Sequence, residues 1–244
     1  MHRIHRAARA AAVAALALVA ARSSSAQNVG AGAGPPFHAV LLTTGMTTMS
    51  VDPLNARMTS NQFAGLSNDA VSYGASGYFS YGRALLGAEL HRIAYGEEGL
   101  NNGRTDDLRS MQGMLDVGYA VVSTRSLSVF PLLGVGLGRV DVALRDRNGT
   151  RSALAEPSFD EIARTPGPES VLSAKVLLYS IGGGADYLVT PRGASVGIVL
   201  GVRAGVQTSP NRAVWTRDGQ SVAAGPDVGP GGRYVRITVG IGGR

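Results

Sequence analysis

The chain has 244 residues, a formal net charge of +6 and no cysteine. The lack of cysteine excludes a disulfide scaffold, cysteine-ligated zinc and thiol catalysis. Its 34 glycines would suit a weakly folded chain, but the regular alternation of apolar and polar residues indicates β-strands instead.

The first 26 residues have the pattern of a secretory signal peptide. Arg3, Arg6 and Arg9 precede an apolar stretch from Ala10 to Ala21, and small residues up to Ala26 offer a cleavage site. The apolar stretch is too short to span a bilayer comfortably. We therefore predict export by the general secretory route and cleavage near Ala26. Residues 27–36 are predicted to be a flexible leader, and 37–244 a single β-domain.

Most of the positive charge lies in the predicted signal peptide. The full chain has 23 basic and 17 acidic residues. Removing the four arginines of the signal peptide leaves 19 basic against 17 acidic residues, a net charge of +2. The high pI therefore does not argue for a nucleic-acid partner.

Apolar residues alternate with small or polar ones through most of the remaining chain. The clearest example is Met111 to Val142, two strands joined by the polar turn Ser123–Ser126. Because successive side chains of a strand point to opposite faces, each strand has an apolar outside and a small, partly polar inside. In chain order the predicted strands cover about residues 37–51, 70–81, 84–95, the two strands of 111–142, 174–188, 194–207 and 232–242.

The connections between the predicted strands alternate between short and long. Short turns join strands two and three, four and five, and six and seven. The long connections are polar and are predicted to be loops: 52–69, 96–107, 145–170 and 209–232. The third loop is expected to follow a turn at Asp146–Gly149 and to become disordered around Pro157, Pro166 and Pro168. The predicted fold is an all-β, eight-stranded, antiparallel up-and-down transmembrane β-barrel with short periplasmic turns and long extracellular loops.

Three segments carry a resemblance to a known group of proteins. They are Gly118–Tyr119 continuing through Phe130–Gly138, Gly182–Tyr187 before a Thr-Pro turn, and Val239–Gly242 in the last strand. In these the chain resembles the small eight-stranded outer-membrane barrels of Gram-negative bacteria, the OmpA/OmpX/OmpW-like group. The resemblance implies an outer-membrane location. The implied partners are outer-membrane lipid, lipopolysaccharide and the assembly machinery. The chain departs from this group in ending with Arg244 instead of an aromatic residue.

Charged residues are predicted on the inner face of the barrel. They are Glu89, Asp116, Asp186, Arg203 and Arg236. The interior of an eight-stranded barrel is only wide enough to be filled by side chains, and buried charges must pair. We interpret these residues as a structural salt-bridge network that fills the lumen. A narrow polar channel is the alternative interpretation.

No catalytic, cofactor or metal site is predicted. His91 near Glu89 could suggest a general base. Neither His91 nor His38, the two histidines after the predicted signal peptide, matches an enzyme motif, and a structural histidine is the simpler interpretation. Six tyrosines near strand ends are predicted to form aromatic girdles at the membrane interfaces: Tyr73, Tyr81, Tyr95, Tyr119, Tyr179 and Tyr187.

The function predicted from these patterns is that of a membrane-embedded scaffold and not of an enzyme. Its extracellular loops would contact other cells, host molecules or envelope components. The runner-up is a narrow or lateral transport path for small hydrophobic molecules, as in OmpW-like proteins. An outer-membrane enzyme is the third class, but it needs a convergent His/Ser/Asp site that the sequence does not supply. A soluble eight-stranded carrier in the periplasm stays open as a further interpretation.

Overall fold

A computed structural model describes residues 37–95, 98–99, 103–150, 157–210 and 213–244. The predicted signal peptide and leader lie outside these residues. Eight long strands form the body of the molecule: β1 His38–Thr48, β2 Asp69–Tyr81, β3 Ala84–Ala94, β4 Arg104–Tyr119, β5 Leu127–Asp146, β6 Ser170–Val189, β7 Val196–Thr208 and β8 Gly232–Gly243.

The eight strands close into a barrel. Each strand pairs antiparallel with the next in the chain, and β8 pairs with β1 from His38 opposite Gly243 to Thr47 opposite Tyr234. Closure leaves no free edge along the barrel wall, so the backbone groups of the wall are paired within the sheet. The predicted eight-stranded up-and-down barrel is confirmed.

The outer face of the barrel is apolar, as predicted. Leu115, Ile181 and Ile237 are 66%, 69% and 65% exposed and belong to a belt of outward aliphatic side chains on all eight strands. A continuous apolar surface of this extent is stable only against another apolar phase. The belt therefore marks the part of the barrel that spans a membrane.

Aromatic side chains border this belt. Tyr73 and Tyr81 are both exposed on β2, eight residues apart, which is about 27 Å of strand. A strand tilt of about 40° reduces this to about 20 Å along the barrel axis, close to the ~25 Å apolar band of such barrels. Five of the six predicted tyrosines lie on the outer face. Tyr95 does not, because it packs against buried residues of the loops.

The short connections lie together at one end of the barrel, the turn end, and the long connections at the other, the loop end. The turns comprise residues 82–83, 120–126 and 190–195, and the second contains the two-residue strand Val122–Ser123. The loops contain two helices, α1 Asp52–Ser60 and α2 Phe159–Arg164, and the short strands Glu98–Gly99, Val214–Arg217 and Gln220–Ser221. Within the described residues, neither helix is long and apolar enough to cross a membrane.

The prediction of disorder around Pro157, Pro166 and Pro168 was wrong. Residues 157–169 are ordered around α2, which begins with a capping box: Ser158 Oγ accepts from the Glu161 backbone N–H, and the Glu161 carboxylate accepts from the Ser158 N–H. These bonds hold the pKa of Glu161 below its usual value. Burial of Phe159 and Ile162 then fixes the helix against the barrel. The prediction of plain loops over 52–69 and 209–232 was also incomplete, because α1 and a short hairpin form there.

We predict that Leu115→Arg lowers the free energy of unfolding in lipid vesicles by about 2–4 kcal/mol. Leu115 lies near the middle of the apolar belt, so an arginine at this position must enter hydrocarbon. Denaturant titration of the vesicle-inserted protein measures the effect. Val171→Arg is the matched control, since Val171 is 43% exposed but lies on the part of β6 beyond the apolar belt. Equal loss in the two variants would contradict the assignment of the belt to the membrane.

Candidate functional site: the lumen and the loop cap

The barrel interior contains one fully buried, bidentate ion pair. Arg203 Nη1 and Nη2 donate to Asp186 Oδ1 and Oδ2 at 2.7 and 2.8 Å. Glycines make room for it: a methyl group on Gly184 would lie 2.6 Å from Arg203 Cδ, and one on Gly201 would overlap Asp186. The Arg203 guanidinium also lies over the ring of Phe130, 4.8 Å from its centroid.

A second buried group is centred on Glu89. Arg236 Nη1 donates to Glu89 Oε2 at 3.1 Å, and the Tyr78 hydroxyl donates to Glu89 Oε1. His91 Nε2 lies 2.8 Å from Glu89 Oε2, and His91 Nδ1 lies 3.2 Å from Thr43 Oγ1. The structure thus joins four of the five predicted lumen charges into two ion pairs.

Asp116, the fifth predicted charge, is placed differently. It is 5% exposed, and its Oδ2 has no hydrogen-bond partner among the described residues. Gln112 and Gln207 have similarly unpartnered buried amide atoms. Buried polar atoms of this kind are usually satisfied by internal water, so the middle of the lumen is polar without being a continuous side-chain network.

The Thr43–His91–Glu89 chain has the order of a nucleophile, a base and an orienting carboxylate. His91 is 1% exposed and Thr43 6%, and apolar side chains close the lumen on either side of them. Within the described residues, this chain of contacts is therefore enclosed in the lumen.

Apolar side chains close the turn end of the lumen. They are Phe37, Ala39, Leu41, Tyr78, Leu85, Ala120, Phe130, Leu132, Leu188 and Val199, and together we call them the turn plug. Arg244 covers this plug: its Nη2 donates to Ser128 Oγ at 2.7 Å, and its Nη1 donates to the carbonyl oxygen of Thr124. Because β8 and the β4–β5 turn belong to different parts of the wall, this side chain reaches across the mouth of the barrel.

A larger apolar core closes the loop end, and we call it the loop cap. Its buried members come from the loops and from the upper parts of the strands: Met49, Val51, Leu54, Met58, Phe63, Leu66, Ala70, Ile93, Leu108, Val140, Val142, Leu144, Phe159, Ile162, Ala163, Leu172, Ala174, Trp215, Val222 and Val228. Trp215 is 1% exposed. It packs edge-on against Phe159 at 5.3 Å, and its Nε1 donates to the carbonyl oxygen of Pro226 at 2.7 Å.

One arginine joins the separate parts of the loop cap. Arg104 Nε donates to Asp146 Oδ2 at 3.0 Å, and its Nη1 and Nη2 donate to the carbonyl oxygens of Asn61 and Arg164. These oxygens lie at the C-terminal ends of α1 and α2. Since Arg104 begins β4 and Asp146 ends β5, the contact fixes both helices to the barrel wall.

The polarity of the two strand faces reverses where the loop cap begins. In β5, the outward residues are apolar up to Leu137 and include Arg139, Asp141 and Arg145 beyond it, whereas the inward residues are apolar from Val140 to Leu144. The sequence contains the signal for this change, because the apolar positions switch from odd to even numbers between Leu137 and Val140. The cap was not predicted, because this switch was not recognised in the sequence.

A groove of about 290 Å³ lies at the loop end between the ends of β1–β3 and the segment before β2. Its lining residues are Met46, Leu66, Ser67, Asp69, Ala70, Val71, Ala94 and Tyr95. The Tyr95 hydroxyl is buried without a hydrogen-bond partner among the described residues. Burial raises the pKa of this hydroxyl above its usual value, so it stays protonated and able to donate.

The closed wall, the apolar belt and the filled lumen define a small, eight-stranded, membrane-spanning β-barrel. No protein family and no curated protein matches the chain. Among solved structures, Ail, the attachment invasion locus protein of Yersinia pestis, is 11% identical over 86% of this chain and 99% of that chain, with a TM-score of 0.43. Neisserial surface protein A is 12% identical over 86% and 99%, with a TM-score of 0.42.

A major outer membrane protein from Thermus thermophilus gives similar values: 12% identity over 85% of this chain and 98% of that chain, and a TM-score of 0.42. Similarity at this level bears on neither ligand nor activity. The class of the protein therefore rests on its own strand pairing and surface.

We predict that Arg203→Ala destabilises the barrel by about 3–5 kcal/mol, because it leaves the Asp186 carboxylate buried without its partner. The readout is the temperature at which the folded protein loses its altered mobility on a denaturing gel. Arg192→Ala, in the exposed β6–β7 turn, is the matched control. An unchanged transition in Arg203→Ala would show that the pair contributes little.

Proposed function

We propose that the protein is an integral barrel of a bacterial outer membrane that acts as a scaffold, with the turn end in the periplasm and the loop cap at the cell surface. The alternation of short turns with long loops supports this orientation, since outer-membrane barrels have short periplasmic and long extracellular connections. Outer-membrane lipid, lipopolysaccharide and the assembly machinery are the partners that such a protein meets, and the loop cap would contact a surface ligand.

The observation that carries the proposal is that the lumen is blocked in three successive layers. The turn plug, the two ion pairs and the loop cap follow one another along the axis. A channel needs a continuous aqueous path, and an eight-stranded barrel has little interior room beyond its own side chains. A structural role for the lumen charges is part of this proposal.

The folded state of the loops supports a role in recognition. A cap with its own core and with Arg104 anchoring both helices presents an ordered surface. Binding through such a surface loses less conformational entropy than binding through flexible loops.

A lateral path for small hydrophobic molecules is the second candidate, and the groove beside Tyr95 is the observation that favours it. The groove combines outward apolar side chains with a hydroxyl that lacks a partner among the described residues. Its inner side is formed by Leu66 and Ala70, which belong to the buried core of the loop cap, so the groove ends at that core and not in an open lumen.

We predict that the wild-type protein gives no resolved single-channel current in planar lipid bilayers, because all three layers block the lumen. A general porin inserted under the same conditions is the positive control. A steady open-channel current would overturn the scaffold proposal.

For the second candidate, Met46→Trp would fill the groove, and reduced uptake of a hydrophobic solute by cells carrying this variant would favour the lateral path.

We also predict that Phe159→Ala opens the loop cap without unfolding the barrel. The variant should shift the emission of Trp215, the only tryptophan of the chain, to longer wavelength and keep the mobility shift on boiling. Protease added to intact cells should then cut the variant but not the wild-type protein. If the protease cuts the variant only after the cells have been permeabilised, the cap does not lie at the cell surface.

A further inference from the structure

Basic side chains form a row on the outer wall of the barrel. Arg92 on β3, Arg139 on β5 and Lys175 on β6 follow one line of paired positions across the strands, because Arg92 is opposite Met111, Met111 opposite Arg139, and Arg139 opposite Lys175. Residues directly opposite in antiparallel strands share a face, and all three basic residues are exposed. Arg109 on β4 is exposed diagonally above, opposite Ala94. We call these four residues the basic row.

Each residue of the basic row lies at the upper boundary of the apolar belt on its own strand. The next outward residue toward the turn end is apolar on each of the four strands: Leu90, Met111, Leu137 and Leu177. Tyr73, directly opposite Arg92 on β2, is one of the exposed tyrosines that border the belt. Charges at the boundary of the apolar belt meet lipid headgroups and not hydrocarbon or bulk water.

The row has more positive charge than the protein itself balances. Arg139 pairs with Asp141 and Arg109 with Asp107. Arg92 and Lys175 have no ion pair among the residues that the structure describes. Arg139 and Lys175 face each other directly, and like charges in that position are destabilising. Four basic residues against two acidic ones leave a net charge of +2 that an external anion would neutralise.

The excess charge is confined to one side of the barrel. The other half of the wall consists of β7, β8, β1 and β2. Among its described residues, Arg233 is the one outward basic residue at the loop end, and the acidic residue Asp69 lies on the same half. A uniform belt would indicate general attraction to anionic lipid. A one-sided row on four adjacent strands indicates a defined site.

We propose that the basic row binds the phosphate groups of an anionic lipid in the outer leaflet. The inference rests on the proposed function for the orientation of the barrel. Three strand spacings separate Arg92 from Lys175, about 14 Å, so the row can contact two phosphate groups of one glycolipid. Arginine guanidinium groups bind phosphate oxygens through paired N–H donors, and Lys175 adds a point charge.

The test measures binding of a phosphorylated glycolipid to the refolded chain in zwitterionic detergent micelles. The probes are diphosphoryl lipid A and the same lipid after removal of its phosphates, and bound lipid is counted by native mass spectrometry. We expect the wild-type protein to prefer the phosphorylated form. Inorganic phosphate in large excess should not displace the lipid, and displacement would overturn the assignment to a lipid.

The variant Arg92→Gln should bind the phosphorylated lipid about fivefold more weakly, which is the usual contribution of one basic residue to binding at an anionic surface. The double variant Arg139→Gln/Lys175→Gln should bind it about 30-fold more weakly, because two such contributions are lost. The matched control is Arg125→Gln/Arg192→Gln, which removes two exposed charges at the turn end and should leave binding unchanged. Equal loss in the control, or undiminished binding in the double variant, would overturn the site.

Failure of this inference and failure of the proposed function give different results. A barrel that inserts into the membrane fraction and shifts on boiling, yet shows no preference for the phosphorylated lipid, would remove the lipid site alone. A protein that stays soluble in the periplasm and shows no shift would remove the proposed function, and the lipid site with it.

Discussion

Hydrogen bonding between β1 and β8 is the constraint on which the rest of the structure depends. In hydrocarbon an unpaired strand edge is costly, so the wall must close, and β1 and β8 supply the last pair of edges. Closure with eight strands leaves a lumen about as wide as its own side chains. The interior must then be filled, and glycines such as Gly184 and Gly201 leave the space that Arg203 and Asp186 occupy.

The loop cap follows from the same strands continuing past the lipid. β5 and β6 pair over 18 residues, whereas β1 and β2 pair over 11. The additional strand length stands in water, where an outward apolar face would be unfavourable. The faces therefore exchange polarity, and the apolar side chains of Val140 and Leu172 point inward to become the floor of the cap. The same alternation of apolar and polar residues therefore forms both parts of the molecule: its apolar residues face lipid in the belt and face inward in the loop cap.

Much of the barrel could be predicted from the sequence, because a repeat of two residues specifies which face each side chain occupies. That is why the outward belt and the inward positions of Glu89, Asp186, Arg203 and Arg236 were predictable residue by residue. Which charges pair could not be predicted, since pairing depends on register between strands distant in the chain: Arg236 on β8 meets Glu89 on β3. The short helix α2 was missed because proline-rich flanks concealed its capping box, and its stability comes from contact with Trp215 on another loop.

The long strands also give the barrel two unlike sides. The cap is anchored on β4 and β5 through Arg104 and Asp146, and the basic row occupies the outer wall of β3 to β6 directly below that anchor. An anion bound to the row would neutralise the repulsion between Arg139 and Lys175 on the strands that support the cap. Under the proposed function, lipid contact and surface display would both depend on this stretch of wall, where the position of the polarity reversal in β3 to β6 sets the height at which the cap begins.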